Sequence, residues 1–332
     1  MSLLFRDATG PDLAPGGSVL CVGAFDGVHR GHQALLARVR ERAAARTAGP
    51  LAISFEPVPR AFFARGAPLP RLASVREKIE LIGEAGIPTV LLLRFDAALA
   101  AMSAESFVAD VLAKRAGARE VWVGADFRFG HARRGDVALL RELGARHGFV
   151  VEVMPDVAVD GERVSSSAIR AHLAAGEFDA AARLLGRRFS IGGHVVRGAQ
   201  LGRRLGWPTA NIRLGRRVAP VAGIFAVRVY GIGAAARAGV ASLGVRPTVD
   251  GGGEPLLEAH LFDFDGDLYG RRIRVEFVRK LRDEEKFDDL DAMVRQIGRD
   301  AAAARAILAD APEPALSVAG LPATAEVRRV RR

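Results

Sequence analysis

The first half of the chain alternates short apolar runs with stretches of helical periodicity, and this alternation limits the possible folds more than any other feature. Strands that alternate with helices form βαβ units around a mainly parallel sheet, and ligands on such sheets bind at the carboxyl ends of the strands. The pattern therefore predicts an α/β domain. Its predicted strands are Ser18–Phe25, Leu51–Phe55, Thr89–Arg94, Glu120–Gly124 and Phe149–Met154. Its predicted helices are Gly31–Arg46, Ser74–Ala85, Ser103–Ala116 and Asp136–His147.

The second half follows a different pattern. A helical stretch over Ser167–Leu185 leads into short runs rich in Val, Ile and Phe with glycines between them, which is typical of an antiparallel barrel or sandwich. The predicted strands are Ser190–Arg197, Gly223–Tyr230, Gly239–Leu243, Leu256–Phe264 and Arg271–Val278. A helix near Phe287–Leu308 closes this half. We therefore predict domains over residues 1–186 and 187–310, followed by a mobile tail over residues 311–332.

Composition excludes several classes of protein. Hydrophobic residues make up 49% of the 332 residues, enough for buried cores, and no apolar run reaches the roughly 18 residues of a membrane-spanning helix. The N-terminus does not resemble a secretory signal, and the single cysteine, Cys21, cannot form an internal disulfide, so we expect a cytoplasmic protein. The net charge of +10 is spread along the chain and suits phosphate-bearing partners. Because aromatic residues are only 6%, we expect phosphorylated small molecules, and neither nucleic acid nor a membrane.

The string GAFDGVHRGH, residues 23–32, follows an apolar strand and opens a helix. Glycines let the backbone approach an anion closely, and the N–H groups of a helix N-terminus point at it. His29 and His32 are three positions apart, so on a helical turn they share one face and can donate hydrogen bonds to phosphate oxygens. For such a pair taken alone, a glycine-rich turn with two surface histidines is the simpler interpretation. A zinc site is not indicated, because no third ligand is suitably spaced.

Taken whole, this string resembles the GxFDGxHxGH signature of the nucleotidylyltransferase superfamily and, within it, the bacterial bifunctional riboflavin kinases/FAD synthetases. The resemblance implies a Rossmann-like nucleotidylyltransferase domain with a parallel sheet, in which His29 and His32 are catalytic. The ATP-binding positions that it implies within the string are Gly23, Phe25, Asp26, Gly27 and Gly31.

The segment VSSSAIR, residues 164–170, resembles the family's ISSTxIR segment, which starts a helix and holds the ATP phosphates. Hydroxyls at a helix start and a guanidinium suit that role. Without the resemblance, a plain serine N-cap is the simpler interpretation. The ATP-binding positions that the resemblance implies here are Ser165, Ser166, Ser167 and Arg170.

The segment GADFRFG, residues 124–130, resembles the family's GxDFxFG loop, which lies near the flavin. The resemblance implies flavin binding by Asp126, Phe127 and Phe129, although loop phenylalanines are more often core residues. FEPVP, residues 55–59, resembles FEPHP, but Val58 stands where the family usually has His. We assign no role to that position.

In the second half, GRRLGWPTAN, residues 202–211, resembles the PTAN signature of riboflavin kinases. The resemblance implies ATP binding by Gly202, Gly206 and Pro208. The side-chain oxygens of Thr209 and Asn211 suit a hard cation such as Mg²⁺, with phosphates completing its shell. Taken alone, this stretch is equally a glycine-rich β-turn, and the chain contains no G-x-x-x-x-G-K-[ST] phosphate loop.

The segment LLEAHLFDFDGDLYG, residues 256–270, resembles the family segment that carries the catalytic glutamate, here Glu258. A kinase that acts on a hydroxyl needs a base near that oxygen, and a carboxylate is a common choice. Without this context, an exposed strand glutamate is the simpler interpretation. The aspartates that follow do not match a calcium-binding loop, so we predict a hairpin turn with Gly266 at a positive φ.

The resemblance covers about residues 18–310 and implies FAD biosynthesis from riboflavin. It implies that the C-terminal domain, an antiparallel β-barrel with a closing helix, phosphorylates riboflavin with ATP to give FMN. It implies that the N-terminal domain adenylylates FMN with ATP to give FAD and pyrophosphate. Mg²⁺ is the implied cofactor, the implied partners are riboflavin, FMN, FAD and ATP, and the oligomeric state stays open.

Two other functions remain open at this point. The N-terminal domain could adenylylate a different phosphate, such as phosphopantetheine or nicotinamide mononucleotide, but the PTAN segment argues against this. The chain could also be a basic nucleic-acid-binding protein on an inactive enzyme scaffold. The presence of every candidate catalytic residue argues against that second alternative.

Overall fold

The structure is a computed structural model, and it describes residues 3–64, 68–198, 201–215, 217–246, 254–310 and 328–329. The chain divides into two compact units. Among the described residues, the first unit comprises 3–64, 68–69, 75–165 and 328–329. The second unit comprises Pro70–Ser74 and the described residues from Ser166 to Asp310.

The first unit is built on a parallel sheet, which confirms the predicted α/β class. Six of its strands are β1 (Leu3–Phe5), β2 (Ser18–Val22), β3 (Gly49–Glu56), β4 (Thr89–Arg94), β5 (Ala118–Gly124) and β6 (Val150–Met154). They lie in the order β1-β4-β3-β2-β5-β6, and every pair is parallel. A small antiparallel hairpin of β7 (Ala158–Val159) and β8 (Glu162–Arg163) follows. Strand β1 was not predicted, because three residues are too few to show a period.

Helices connect the strands of this sheet. They are α1 (Arg30–Ala45), α2 (Pro59–Phe63), α3 (Val75–Glu84), α4 (Ala97–Ala101), α5 (Ala104–Ser106) and α6 (Val137–His147). The predicted helix Ser103–Ala116 begins as α5 and continues as a π-helix over Phe107–Arg115, with the N–H of Ala116 bonded to the carbonyl of Val111. The unpredicted α2 and α4 have only five residues each.

Apolar layers cover both faces of the sheet. Side chains alternate along a strand, so Leu20 and Val22 pack in one layer while Val19 and Cys21 pack in the other. Burial on both faces explains why these strands have nearly continuous apolar sequences.

The strand order places one crevice at the centre of the sheet. The chain builds outward from β2 through β3 and β4, then returns to β5 on the other side of β2. Ligands on such sheets bind at the carboxyl ends of the strands where the order reverses. The strands that meet there are β2 and β5, which precede the two motif-bearing loops of the first half.

The second unit contains a closed antiparallel barrel, so the barrel prediction is confirmed. Its strands are β9 (Ser190–Val196), β10 (Ala210–Arg213), β11 (Gly223–Tyr230), β12 (Arg237–Arg246), β13 (Glu254–Leu261) and β14 (Arg272–Arg282). They follow the order β10-β13-β12-β11-β14-β9, and pairing of β9 with β10 closes the barrel. The four-residue β10, which was not predicted, begins in the PTAN segment and ends at Arg213.

Within the described residues of this unit, four α-helices accompany the barrel. They are α7 (Ser166–Ala174), α8 (Phe178–Leu185), α9 (Leu201–Arg204) and α10 (Leu290–Asp310). Apolar residues of α10 pack against the outside of the barrel and form the predicted closing helix. The ring of Phe178 contacts Phe225 (5.8 Å between centroids) and Phe277 (6.4 Å), so α8 packs with the barrel. The assignment of residues 166–186 to the adenylyltransferase domain stays a prediction.

The turn after β13 differs from the prediction. Positive φ angles occur at Asp263 (52°) and Gly270 (74°), and Gly266 has none. The guanidinium of Arg305 on α10 holds the Asp263 carboxylate with two hydrogen bonds of 2.8 and 3.0 Å, which stabilises the left-handed backbone at that residue. The predicted tail lies outside the described residues except for β15 (Arg328–Arg329), which pairs in parallel with β1.

Candidate active sites

The strand predicted over Ser18–Phe25 is shorter in the structure. Strand β2 ends at Val22, and the loop to α1 begins at Gly23. Phe25 (φ 48°), Gly27 (φ 84°) and Val28 (φ 40°) adopt the left-handed region, which residues with a side chain rarely occupy. Phe25 and Val28 are buried, so core packing offsets the strain. The side chain of Asp26 is buried as well. The loop is therefore held in one unusual shape at the carboxyl end of β2.

His29 and His32 lie together where α1 begins. Nδ1 of His29 accepts a hydrogen bond from the backbone N–H of His32 (3.3 Å) and caps the helix. An accepting Nδ1 carries no proton, so the neutral ring of His29 holds its proton on Nε2. The two rings stack with centroids 3.6 Å apart, and the ring of Phe25 meets His32 edge-on at 5.1 Å. Sequence spacing predicted this shared face.

The electrostatics of the pair favour hydrogen-bond donation to an anion. Burial lowers the pKa of His32 well below its usual range, and the neighbouring His29 and the ammonium of Lys78 lower it further. His32 is therefore neutral at pH 7. The first turn of α1 has no acidic residue, so its N–H groups present an uncompensated positive end.

Contacts within the first unit bring other predicted segments close to this loop. Gly31 faces the backbone carbonyl of Val164, immediately before the first serine of VSSSAIR. Arg163 binds the carboxylate of Asp156 (2.8 Å) and lies 3.9 Å from that of Asp126. Arg163 thus links the loop after β5 to the end of the unit, a role that sequence reasoning missed because no period or motif singled it out.

The two loop phenylalanines after β5 differ in exposure. Their rings stack at 5.5 Å between centroids. Phe129 is only 7% exposed and packs beside Phe107 in the core, whereas Phe127 is half-buried and Asp126 is exposed. Of the predicted flavin contacts, Asp126 and Phe127 therefore offer surface to a ligand, and Phe129 supports the loop from below.

A cluster of phenylalanines at the ends of β3 and β4 was missed by sequence reasoning. Phe95 contacts Phe55, Phe62 and Phe63, with ring centroids 5.3 to 5.9 Å apart. Phe62 is 39% exposed and Phe63 is 59% exposed, on a helix with no buried residue. Adjacent exposed aromatic rings form an apolar patch, and such patches often mark a binding surface. The adjacent Phe62 and Phe63, close after the FEPVP segment, were the sequence feature that could have indicated this cluster.

The other residues of VSSSAIR belong to the second unit. Ser166 and Ser167 begin α7, and the guanidinium of Arg170 donates to the carbonyls of Pro70 (2.7 Å) and Ser166 (3.2 Å). Their binding of ATP stays a prediction, as does that of Ser165 at the end of the first unit.

In the barrel, strand pairing brings two predicted kinase residues together. Asn211 on β10 lies directly opposite Glu258 on β13, and Ser242 on β12 lies opposite Glu258 from the other side. Leu257 and Ala259 are fully buried, so the alternation along β13 puts Glu258 on the outer face, where it is half-buried.

Asn211 is the most informative of these residues. It is only 5% exposed, and its Nδ2 donates to the carbonyl (3.1 Å) and the hydroxyl (3.4 Å) of Thr209. Its Oδ1 is buried and has no hydrogen-bond partner among the described residues. A buried, unsatisfied amide oxygen is costly unless a ligand completes it, and an oxygen donor suits Mg²⁺. In the described part of the chain, no three His, Cys, Asp or Glu side chains cluster to hold a metal by themselves.

The glycine-rich lead before β10 forms a tight turn. The N–H of Trp207 bonds to the carbonyl of Gly202 (2.7 Å), and Gly206 adopts φ 83°. The carbonyl of Pro208 accepts a hydrogen bond from Nδ1 of His260 (2.8 Å), which ties the lead to β13. ATP binding by Gly202, Gly206 and Pro208 stays a prediction.

A second carboxylate near Glu258 was not found from the sequence. The carboxylate of Glu284 lies against Gly244 on β12, where any Cβ would overlap it. Gly244 is a diagonal neighbour of Glu258 across the β12–β13 pairing. Burial and the negative charge of Glu258 raise the pKa of Glu284. No sequence pattern connects a loop glutamate to a residue so far away along the chain.

Comparison with known proteins identifies the family. A family model described as FAD synthetase matches residues 13–168, and one described as riboflavin kinase matches residues 185–308. A bifunctional riboflavin kinase/FMN adenylyltransferase of Pseudomonas fluorescens is 48% identical over 293 residues, which cover 88% of this chain and 94% of the relative. This chain belongs to the bifunctional riboflavin kinase/FMN adenylyltransferase family.

A second family member and one solved structure are also similar to this chain. The member from Escherichia coli K12 is 44% identical and is matched over 87% of this chain and 92% of its own length. The crystal structure of a macrolide-efflux protein from Streptococcus pneumoniae is similar in fold, with a TM-score of 0.76, 28% identity, and coverage of 92% of this chain and 98% of that one. Within the described residues of this family member, we find no helix long and apolar enough to cross a membrane.

Proposed function

We propose that this chain makes FAD from riboflavin in two steps, one in each unit. The observation that carries the proposal is that the two family matches coincide with two separate structural units, each of which has its own predicted site. A parallel sheet with a central crevice suits nucleotide transfer. The barrel, with Asn211 and Glu258 opposite each other, suits phosphorylation of a hydroxyl.

In the N-terminal unit, we place adenylyl transfer at the crevice after β2 and β5. A phosphate oxygen of FMN attacks the α-phosphorus of ATP, a new P–O bond forms, and the bond to the departing pyrophosphate breaks. The FMN phosphate is already a nucleophile at neutral pH, so the protein needs mainly to position the groups and to neutralise charge. The Nε2–H group of His29 and the N–H groups at the start of α1 can donate hydrogen bonds to the phosphate oxygens. His32 packs beside His29 as a neutral ring.

The aromatic residues at the same edge suit the flavin ring. Phe62 and Phe63 expose apolar rings after β3, and Phe127 is half-exposed after β5. Flat aromatic ligands stack on such rings. We assign the isoalloxazine to this edge together with Asp126.

In the C-terminal unit, we propose that Glu258 takes the proton of the ribityl 5′-hydroxyl. The hydroxyl oxygen bonds to the γ-phosphorus of ATP while the bond to ADP breaks. Asn211 and Thr209 would hold Mg²⁺, for which the buried and unpartnered Oδ1 of Asn211 is the supporting observation. Bound Mg²⁺ supplies charge neutralisation on the phosphates. A cytoplasmic location and the absence of nucleic-acid partners remain part of this proposal.

The test is to incubate the purified chain with riboflavin, ATP and Mg²⁺ and to separate the flavins by chromatography. The proposal expects FMN first and FAD later. Formation of FMN without FAD would contradict the proposed adenylyl transfer in the N-terminal unit. No conversion of riboflavin, and none of FMN supplied directly, would overturn both assignments.

A further inference from the structure

A fully buried lysine lies beneath the β2–α1 loop. Lys78 on α3 is 0% exposed, and its ammonium donates to the hydroxyl of Ser54 (3.3 Å), the carbonyl of Phe55 (3.1 Å) and the carboxylate of Glu56 (3.4 Å). Lysine is almost never fully buried unless it is paired, and here the Glu56 carboxylate supplies the opposite charge at 3.4 Å. The apolar neighbours Ile79 and Ile82 on α3 show that an apolar side chain suits this layer.

Hydrogen bonds connect Lys78 to the loop. The hydroxyl of Ser54 accepts from Lys78 and donates to the carbonyl of Ala24 at 3.2 Å. Ala24 immediately precedes Phe25, the first residue of the loop in the left-handed conformation. The ammonium thus anchors the loop at the point where its strained backbone begins.

The charge of Lys78 also acts on the histidine pair. His32 is packed against His29 and Phe25, and burial is the main cause of its lowered pKa. The neighbouring His29 and the ammonium of Lys78, from α3, lower that pKa further. A cation beneath the loop disfavours a second positive charge on His32.

We propose that Lys78 is a positioning residue for adenylyl transfer: its ammonium holds the hydroxyl of Ser54, and that hydroxyl holds the β2–α1 loop at Ala24. This inference rests on the proposed function of the N-terminal unit. Lys78 contacts Ser54, and Ser54 contacts the loop, so we assign Lys78 an effect on the geometry of the loop and no direct contact with the reacting phosphates.

Two variants and a control test this role. Lys78→Met removes the charge and the hydrogen bonds at similar volume, Ser54→Ala breaks the link to Ala24 but keeps the charge, and Arg76→Met removes an exposed cation from the same helix. For each, we would measure kcat and KM for FAD formation from FMN and ATP, FMN formation from riboflavin, and the titration of the His32 ring by NMR.

We expect kcat for FAD formation to fall about 10- to 100-fold in Lys78→Met, with smaller changes in KM, because a loop displaced by about 1 Å misaligns the reacting groups. The pKa of His32 should rise in Lys78→Met and stay unchanged in Ser54→Ala, in which kcat still falls. FMN formation should be unchanged in all variants, and Arg76→Met should resemble the wild type throughout.

Wild-type kcat in Lys78→Met would overturn the inference, because the loop would then keep its geometry without the ammonium. If Lys78→Met does not fold, wild-type kcat in Ser54→Ala would overturn it instead. The variant His32→Ala separates this inference from the proposed function. If His32→Ala still forms FAD, the proposed adenylyltransferase site is wrong. If His32→Ala loses FAD formation but Lys78→Met keeps wild-type activity, only the proposed role of Lys78 is wrong.

Discussion

The backbone N–H of His32 donates to Nδ1 of His29, and the two imidazole rings stack 3.6 Å apart. His29 therefore caps α1 and has a fixed tautomer, while His32 is partly buried beside it and stays neutral. The two histidines are therefore not equivalent, and we expect substitution of each to have a different effect on stability.

His29→Ala and His32→Ala should each abolish FAD formation from FMN and spare FMN formation from riboflavin. His29→Ala should additionally destabilise the N-terminal unit by about 0.5–2 kcal/mol, because it removes the cap of α1. Chromatography of the flavins measures both activities, and urea unfolding measures stability. Equal loss of both activities in either variant would contradict the assignment of two separate sites.

The stability of the chain should depend on the protonation of His32. The pKa of His32 is lowered in the folded state, so the unfolded chain binds more protons below about pH 6.5. Its contribution to stability is complete above that pH and decreases as pH falls toward the folded-state pKa, by up to about 1.4 kcal/mol per pH unit. Urea unfolding between pH 7.5 and about 5 measures this slope.

His32→Phe should make that slope shallower, since phenylalanine keeps an aromatic ring at the stack without a titrating group. His147→Gln, at an exposed position on α6, is the matched control. A slope that is the same in wild type and His32→Phe would show that His32 is not protonated differently in the folded and unfolded states.

Glu258→Gln should lower FMN formation by about 10²- to 10⁴-fold, the range for loss of a general base. FAD formation from supplied FMN should be unchanged. The control is Glu162→Gln, which removes a carboxylate from β8 in the first unit and should leave FMN formation unchanged. If Glu258→Gln reduced both activities alike, the two units would not act as separate catalysts.

Asn211→Ala should raise the Mg²⁺ concentration that gives half-maximal FMN formation, because it removes the buried Oδ1. Asn211→Asp keeps an oxygen at that position and should retain more metal binding. Titration of the kinase rate with Mg²⁺ at fixed ATP distinguishes the two. Identical Mg²⁺ curves for wild type and Asn211→Ala would exclude Asn211 as a ligand.

Two glycines of β12 should respond differently to alanine. At Gly239 a new Cβ would overlap the backbone carbonyl of His260, which cannot move without breaking the strand pairing, so we expect a loss of about 1–3 kcal/mol. At Gly244 it would overlap the carboxylate of Glu284, the end of a flexible side chain, so the cost should be smaller. Urea unfolding of both variants tests this order, and the reverse order would contradict the packing described for Glu284.

The sequence by itself determined the two-part architecture, most of the strands, and the positions of the motifs. These features are local, because hydrophobic period and short strings are properties of neighbouring residues. The shared face of His29 and His32 followed from their spacing in the same way. The strand that was predicted to reach Phe25 was wrong at its end, since an apolar run does not reveal that Phe25 and Val28 are buried in a left-handed loop.

Only the tertiary structure decided which distant residues meet. The order of the strands placed the β2 and β5 loops at one crevice, and the barrel register placed Asn211 opposite Glu258. Lys78 looked like an ordinary helix lysine in the sequence, and only the packing of α3 on the sheet buried its ammonium. Such contacts depend on the pairing and packing of segments far apart in the chain, which a single sequence does not display.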